Sequence, residues 1–286
     1  MITLQAALSG VVVGGMYGLM ALGIVVIYKA TRVLNLAQAA IGSLAAYCFF
    51  ELAGAGPFPY WPAVFLCVGA AGLAGFGLDW VFRPVYGKDL TTGAILSVGL
   101  MVTILPFITL VWGDTGGLVP APASREAFRM GGDLFLTWAQ LVLLVITAVL
   151  AGGLAVFFNR TALGRAIRAI SEDRQAVATL GINPSLISGS AWAIGTALAA
   201  LAGILISPLL SLEVASLSFL LMKALVAALI GRFVSLPGAF LGGVALGVLE
   251  NVLAVHWQVA GVRETLMLVL VIALLTLRSE RVELAG

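Results

Sequence analysis

Charged side chains are scarce in this sequence: fifteen Lys and Arg and thirteen Asp and Glu are spread over 286 residues, 10% of the chain. A soluble globule of this length cannot cover its surface with so few, which excludes a soluble enzyme or carrier. The net charge of +2 is too small to attract nucleic acid. One histidine, His256, and two cysteines, Cys48 and Cys67, leave no set of ligands at metal-binding spacing. There is no Gly-x-x-x-x-Gly-Lys-Ser/Thr segment, so nucleotide chemistry belongs to a different chain. No nucleophile stands near a base in a catalytic pattern, and neither an enzyme nor a cofactor in this chain is expected. No Lys or Arg precedes the first apolar run, so a cleavable signal is not expected either.

What the sequence has instead is apolar length. Hydrophobic residues make up 62% of the chain and the mean hydropathy is +1.14. A membrane crossing needs about 20 apolar residues, because a helix rises ~1.5 Å per residue across a hydrocarbon core of ~30 Å. Runs of suitable character cover 4–28, 34–50, 63–82, 92–112, 138–158, 188–206, 219–230, 238–255 and 262–277. The 34 glycines suit membrane helices, where small residues let backbones approach. The expectation is an all-α fold: a single polytopic transmembrane helical bundle over residues 1–286 with eight or nine membrane segments. The second run is short and interrupted by Asn35 and Gln38, and reads as broken or re-entrant.

Two polar stretches stand out. Within residues 113–136 the pair Gly131-Gly132 falls between 127–130 and 133–136, the pattern of a small hairpin. Residues 160–184 hold Arg160, Arg165, Arg168 and Arg174, with Leu163, Ile167, Ile170, Val177 and Leu180 at helical spacing. This reads as an amphipathic helix or helix pair whose apolar stripe needs a cover. Ser171 with Glu172 and Asp173 is a candidate helix start, Gly181 a stop, and Asn183-Pro184 a cap for the next helix. Eleven of the fifteen Lys and Arg fall on one side if 160–184 is cytoplasmic, against Arg125, Arg129 and Arg263 on the other. That bias predicts an N-terminus outside, residues 113–136 outside and a cytoplasmic C-terminus.

Polar groups at membrane depth are candidates for function. An unpaired Lys223 in its apolar run would cost roughly 2.5–3.5 kcal/mol on the insertion scale, so it snorkels or faces the interior. Glu250, followed by Asn251, stands within reach of water or of Lys223, and a gating or structural ion pair is favoured over direct solute contact. Tyr17, Asn35 and Gln38 either bridge helices or line a solute path.

Three blocks resemble a known family, the permease subunits of branched-chain amino acid ABC importers in their LivH-like branch. They are Gly18-Leu-Met-Ala-Leu-Gly23 with Tyr28, Asn35-Leu-Ala37 and Gly42 to Tyr47; then Gly164-Arg-Ala-Ile-Arg-Ala-Ile-Ser-Glu-Asp173 with Ala176 and Leu180-Gly-Ile-Asn183; and Lys223-Ala224 with Gly231, Pro237-Gly-Ala239, Gly242-Gly243 and Gly247 to Glu250. The resemblance implies a multi-pass subunit of the bacterial inner membrane. It implies a second permease subunit, LivM-like or another copy, two ATP-binding cassette ATPases that hold the ATP, and an extracytoplasmic binding protein. It makes Arg165, Arg168, Glu172, Asp173, Arg174, Leu180 and Gly181 the ATPase-coupling set, while Tyr17, Asn35, Gln38, Lys223, Glu250 and Asn251, as polar groups at membrane depth, are the candidates for the substrate path. Two departures matter. The family commonly shows Asn-Phe-Ala-His-Gly-Glu where this chain has Asn35-Leu-Ala-Gln-Ala-Ala40, and Gly-Gly-x-Gly-Ser where it has Gly231-Arg-Phe-Val-Ser235. The first leaves other small organic solutes open beside amino acids. A stand-alone ion-coupled transporter or channel, with Lys223 and Glu250 as its ion elements, is the rival reading.

Overall fold

The computed structural model describes residues 2–113, 117, 119–124, 126–131, 134–209, 212–256, 265 and 269. Among them lie ten α-helices and one β-hairpin: α1 (Ile2–Thr31), α2 (Gln38–Phe49), α3 (Tyr60–Phe82), α4 (Leu90–Trp112), β1 (Ala127–Gly131), β2 (Leu134–Thr137), α5 (Trp138–Arg160), α6 (Ala162–Glu172), α7 (Arg174–Thr179), α8 (Pro184–Ile206), α9 (Val214–Ile230) and α10 (Leu236–His256). Helices α1, α3, α4, α5, α8 and α10 are long and apolar enough to cross a membrane. Against the eight or nine membrane segments expected, the described residues hold these six spans and one shorter apolar helix, Ser218–Ile230. Helix α2 has only 12 residues before it widens into a π-helical turn, Phe50–Ala55, and α9 has 17. The run at 262–277 falls almost wholly outside the described residues.

Helices α1 and α8 form the middle of the bundle, while α3, α4 and α5 turn most of their apolar side chains outward. Glycine sets this arrangement. A Cβ built on Gly10 of α1 would lie 2.6 Å from the carbonyl oxygen of Gly247 in α10, and one on Gly14 would lie 2.7 Å from that of Gly243. Only bare backbones can pack so closely, and the contact gives dispersion where lipid offers no hydrophobic drive between helices.

The two ends of the bundle differ in chemistry. At one end Lys29 Nζ donates to Val234 O at 3.0 Å and Arg32 Nη2 to Ser171 O at 2.7 Å, so the end of α1, the α9–α10 turn and α6 meet among basic residues. At the other, Gln5 exchanges two hydrogen bonds with the Phe135 backbone and holds the hairpin against the start of α1. The hairpin has the strands expected from the Gly131-Gly132 pattern, antiparallel with Ala127 opposite Thr137. Thr137 then caps α5 in a reciprocal capping box with Gln140, a start signal absent from the sequence reading.

The α9–α10 turn carries two consecutive left-handed residues, Arg232 at φ 59° and Phe233 at φ 53°. Arg232 occupies a position where the resembled pattern has glycine, which adopts this conformation without a Cβ penalty.

Candidate functional site

The polar segment after α5 is two helices with a defined joint. Thr161 caps α6 by accepting from Gly164 N at 3.0 Å. Gly164 lets α6 fold back on the end of α5, since a Cβ there would meet Phe158 Cα at 2.5 Å. The expected helix start at Ser171 is displaced to Asp173. Ser171 Oγ donates back to Arg168 O at 2.6 Å and stays inside α6, whereas Asp173 Oδ1 accepts from Gln175 N at 2.8 Å and Ala176 N at 3.0 Å to start α7. Gly181 ends the pair with φ +76°, and Asn183 Oδ1 accepts from Ser185 N at 2.9 Å with Pro184 in the first turn of α8.

The apolar stripe of this segment is covered by the chain itself except at Leu180. Ile167, Ile170 and Val177 are buried, and α6 packs on α1, α5 and α8. The stripe expected to await a partner is thus an anchor to the bundle, because the sharp turn at Thr161 points it inward. What faces outward is Arg165, Glu172, Asp173 and Gly181, together with Leu180, 76% exposed, and Ile182. Arg168 and Arg174 are half-buried, and Arg168 Nη1 donates to Asn159 Oδ1 at 3.0 Å. Among the described residues no cation pairs with Glu172 or Asp173.

At membrane depth three helices bring Tyr17, Lys223 and Glu250 together. Lys223 Nζ lies 2.6 Å from Glu250 Oε1 and 2.9 Å from Tyr17 Oη, which itself donates to Glu250 Oε2 at 2.9 Å. The ammonium also sits 4.9 Å from the Tyr17 ring centroid. Each oxygen and the ammonium thus has a partner, which removes most of the cost of an isolated charge in hydrocarbon. The pair is not sealed, with the Lys223 side chain 26% and the Glu250 side chain 13% exposed. The glycine contacts between α1 and α10 create this meeting, and Gly242 seats α10 on Ala227 and Ile230 of α9.

The other polar residues of the first two runs sit elsewhere. Asn35 and Gln38 are fully buried: Asn35 Nδ2 donates to Gln38 Oε1 at 2.8 Å, and Gln38 Nε2 to Gly195 O of α8 at 2.7 Å. Asn35 Oδ1 accepts from Ala37 N at 3.1 Å, an Asx turn that starts α2. Their amides are spent on holding the α1–α2 break against α8. Asn251 Nδ2 donates to Gly247 O at 3.0 Å within its own helix.

Residues 6–277 match the family described as branched-chain amino acid transport system / permease component. The chain belongs to that family. A relative from Pseudomonas aeruginosa, the high-affinity branched-chain amino acid transport system permease protein BraD, is 30% identical over 86% of this chain and 85% of its own. The LivH permease protein of Salmonella typhimurium is 28% identical over 86% and 84%. A probable LivH permease protein of Methanocaldococcus jannaschii is 24% identical over 83% and 77%. No solved structure matches the chain.

Family membership makes this permease a multi-pass transport component of an ABC system, without a catalytic role of its own. Sequence reasoning put Glu250 within reach of Lys223 and named Tyr17 separately, and the structure brings all three together. It missed a second polar cluster, Asp79 with Arg83, Tyr86 and Trp192. A signal was present: Asp79 and Arg83 stand four apart at the end of an apolar run, the spacing of an ion pair on one helical face.

Proposed function

We propose that this permease is the transmembrane subunit of an ATP-driven importer for branched-chain amino acids or a related small organic solute. It lies in the bacterial inner membrane with its N-terminus outside and its C-terminus in the cytoplasm. One of two ATP-binding cassette ATPases docks on residues 160–184, a second permease subunit, LivM-like or another copy, completes the path, and an external binding protein delivers the solute. One observation carries the reading: a capped helix pair anchored to the bundle by its apolar stripe turns Arg165, Glu172, Asp173, Leu180 and Gly181 outward at the basic end. Exposed carboxylates with no cation partner among the described residues, beside exposed Leu180 and Ile182, make a mixed polar and apolar face of the kind that binds a soluble partner. The names of the relatives support the solute class. Eleven basic residues counted to that side support the orientation.

In this reading Tyr17, Lys223 and Glu250 gate the path at membrane depth. Their ion pair holds α1, α9 and α10 in one arrangement and parts when the ATPases move the helices. Asn35 and Gln38 position the α2 segment, and Asn251 follows Glu250 on α10. The test is uptake of leucine, isoleucine and valine, with urea for comparison, into vesicles holding the complete transporter. Uptake that requires ATP, the ATPases and the binding protein supports the proposal. Uptake driven by an ion gradient through this chain alone refutes it.

A further inference from the structure

Asp79, Arg83 and Tyr86 meet Trp192 of α8 beside the first residue of α7. Asp79 is fully buried in α3, and both its oxygens are held: Oδ2 accepts from Arg83 Nε at 2.7 Å and Oδ1 from Tyr86 Oη at 2.7 Å. Tyr86 Oη accepts in turn from the indole Nε1 of Trp192 at 2.8 Å. Burial, then the bond to Asp79, push the Tyr86 phenol well above the usual tyrosine range, so it stays a protonated donor. Trp192 packs at a tilt against Phe82 with centroids 4.5 Å apart, and Thr196 donates to Ala71 O at 2.8 Å one turn later. These contacts clamp α3 and α8 into one body. The Arg174 guanidinium of α7 lies 5.1 Å from the centroid of the Tyr86 ring. Arg83 already neutralises Asp79, so Arg174 engages the ring face and not the carboxylate.

The covalent route from α7 to α8 runs through Gly181, exposed and in the left-handed region, a joint with little stiffness. The ring contact is a second link, beside the packing of α6 on α8. We propose that Tyr86 is a positioning residue for energy coupling: Arg174 bears on its ring, and its hydroxyl, tied to Asp79 and Trp192, passes movement of α6–α7 into the α3–α8 body. This rests on the reading of residues 160–184 as the ATPase dock.

The test uses the complete transporter in lipid vesicles, and reads ATPase retention, basal ATP hydrolysis and its stimulation by the binding protein. Tyr86→Phe keeps the ring beneath Arg174 and deletes only the hydroxyl. Retention and basal hydrolysis should stay within about twofold of wild type, while stimulation falls about tenfold, an ordinary magnitude for coupling between sites. Trp192→Phe should repeat this loss, and combining Tyr86→Phe with Arg174→Gln should add little to either alone, because both cut one chain of contacts. Wild-type stimulation in Tyr86→Phe overturns the proposal. So does a parallel loss of retention and basal hydrolysis in both single variants, the mark of a purely structural pin. The docking reading fails on a different result, full retention and stimulation in Glu172→Arg with Asp173→Arg.

Discussion

Replacing Lys223 by Met leaves Glu250 with only the Tyr17 hydroxyl as its short-range partner of those given by the structure. Breaking a buried ion pair from one side costs roughly 3–5 kcal/mol, because the remaining charge is desolvated and unpaired. Here the Lys223 side chain is 26% exposed, and solvent screening brings the expectation down to about 2–3 kcal/mol. Glu250→Gln should cost about as much, since it leaves the ammonium facing a neutral amide. The double variant, Lys223→Met with Glu250→Gln, removes both charges and keeps a Tyr17 partner, so it should regain most of the loss. Thermal unfolding of the purified permease in nanodiscs reads the cycle, with each single variant lowering Tm by roughly 4–12 °C at about 2–4 °C per kcal/mol. A coupling energy near zero, with the two single shifts simply adding, refutes the reasoning about the pair. Uptake separates gate from brace. A double variant that is stable yet transports poorly supports a gating role, and one that is stable and fully active leaves the pair a brace alone.

Three further outcomes are expected. Glu172→Arg with Asp173→Arg should lower transport and ATPase coupling without affecting membrane insertion, because both carboxylates are exposed with no cation partner among the described residues and Asp173 also caps α7; uptake by reconstituted vesicles beside a membrane-fraction blot checks it. Arg232→Gly should raise stability by about 0.5–1 kcal/mol, the left-handed penalty of ~1–2 kcal/mol less the extra unfolded-state freedom of glycine, read as a rise in Tm. Gly10→Val should cost at least ~1–3 kcal/mol through overpacking, because the new Cβ would meet backbone in α10; the yield of monodisperse protein after size exclusion reports it.

The residues legible from sequence obey local rules. Apolar run length marked the six long spans because the bilayer core imposes one length on every crossing. Asn183-Pro184 and Gly181 were readable as a cap and a stop, since capping involves atoms a few residues apart, and the paired glycines at 131–132 announced the hairpin strands for the same reason. The choice between Ser171 and Asp173 as a helix start was not readable, because either side chain could have bonded the backbone and only the bend of the chain selected one.

By itself the sequence determined that this chain is a helical membrane protein, where most of its crossings lie, and which segment is too polar to stay in the bilayer. Only the tertiary structure decided which polar groups meet. Tyr17 and Lys223 are 206 residues apart, and they touch because glycines let α1 and α10 close to backbone contact and seat α10 on α9. It also turned the stripe of α6 and α7 inward and set Tyr86 between Asp79 and Trp192. Periodicity fixes a side chain's bearing on its own helix. The neighbour that side chain meets depends on where two helices cross, which close packing of many residues decides together.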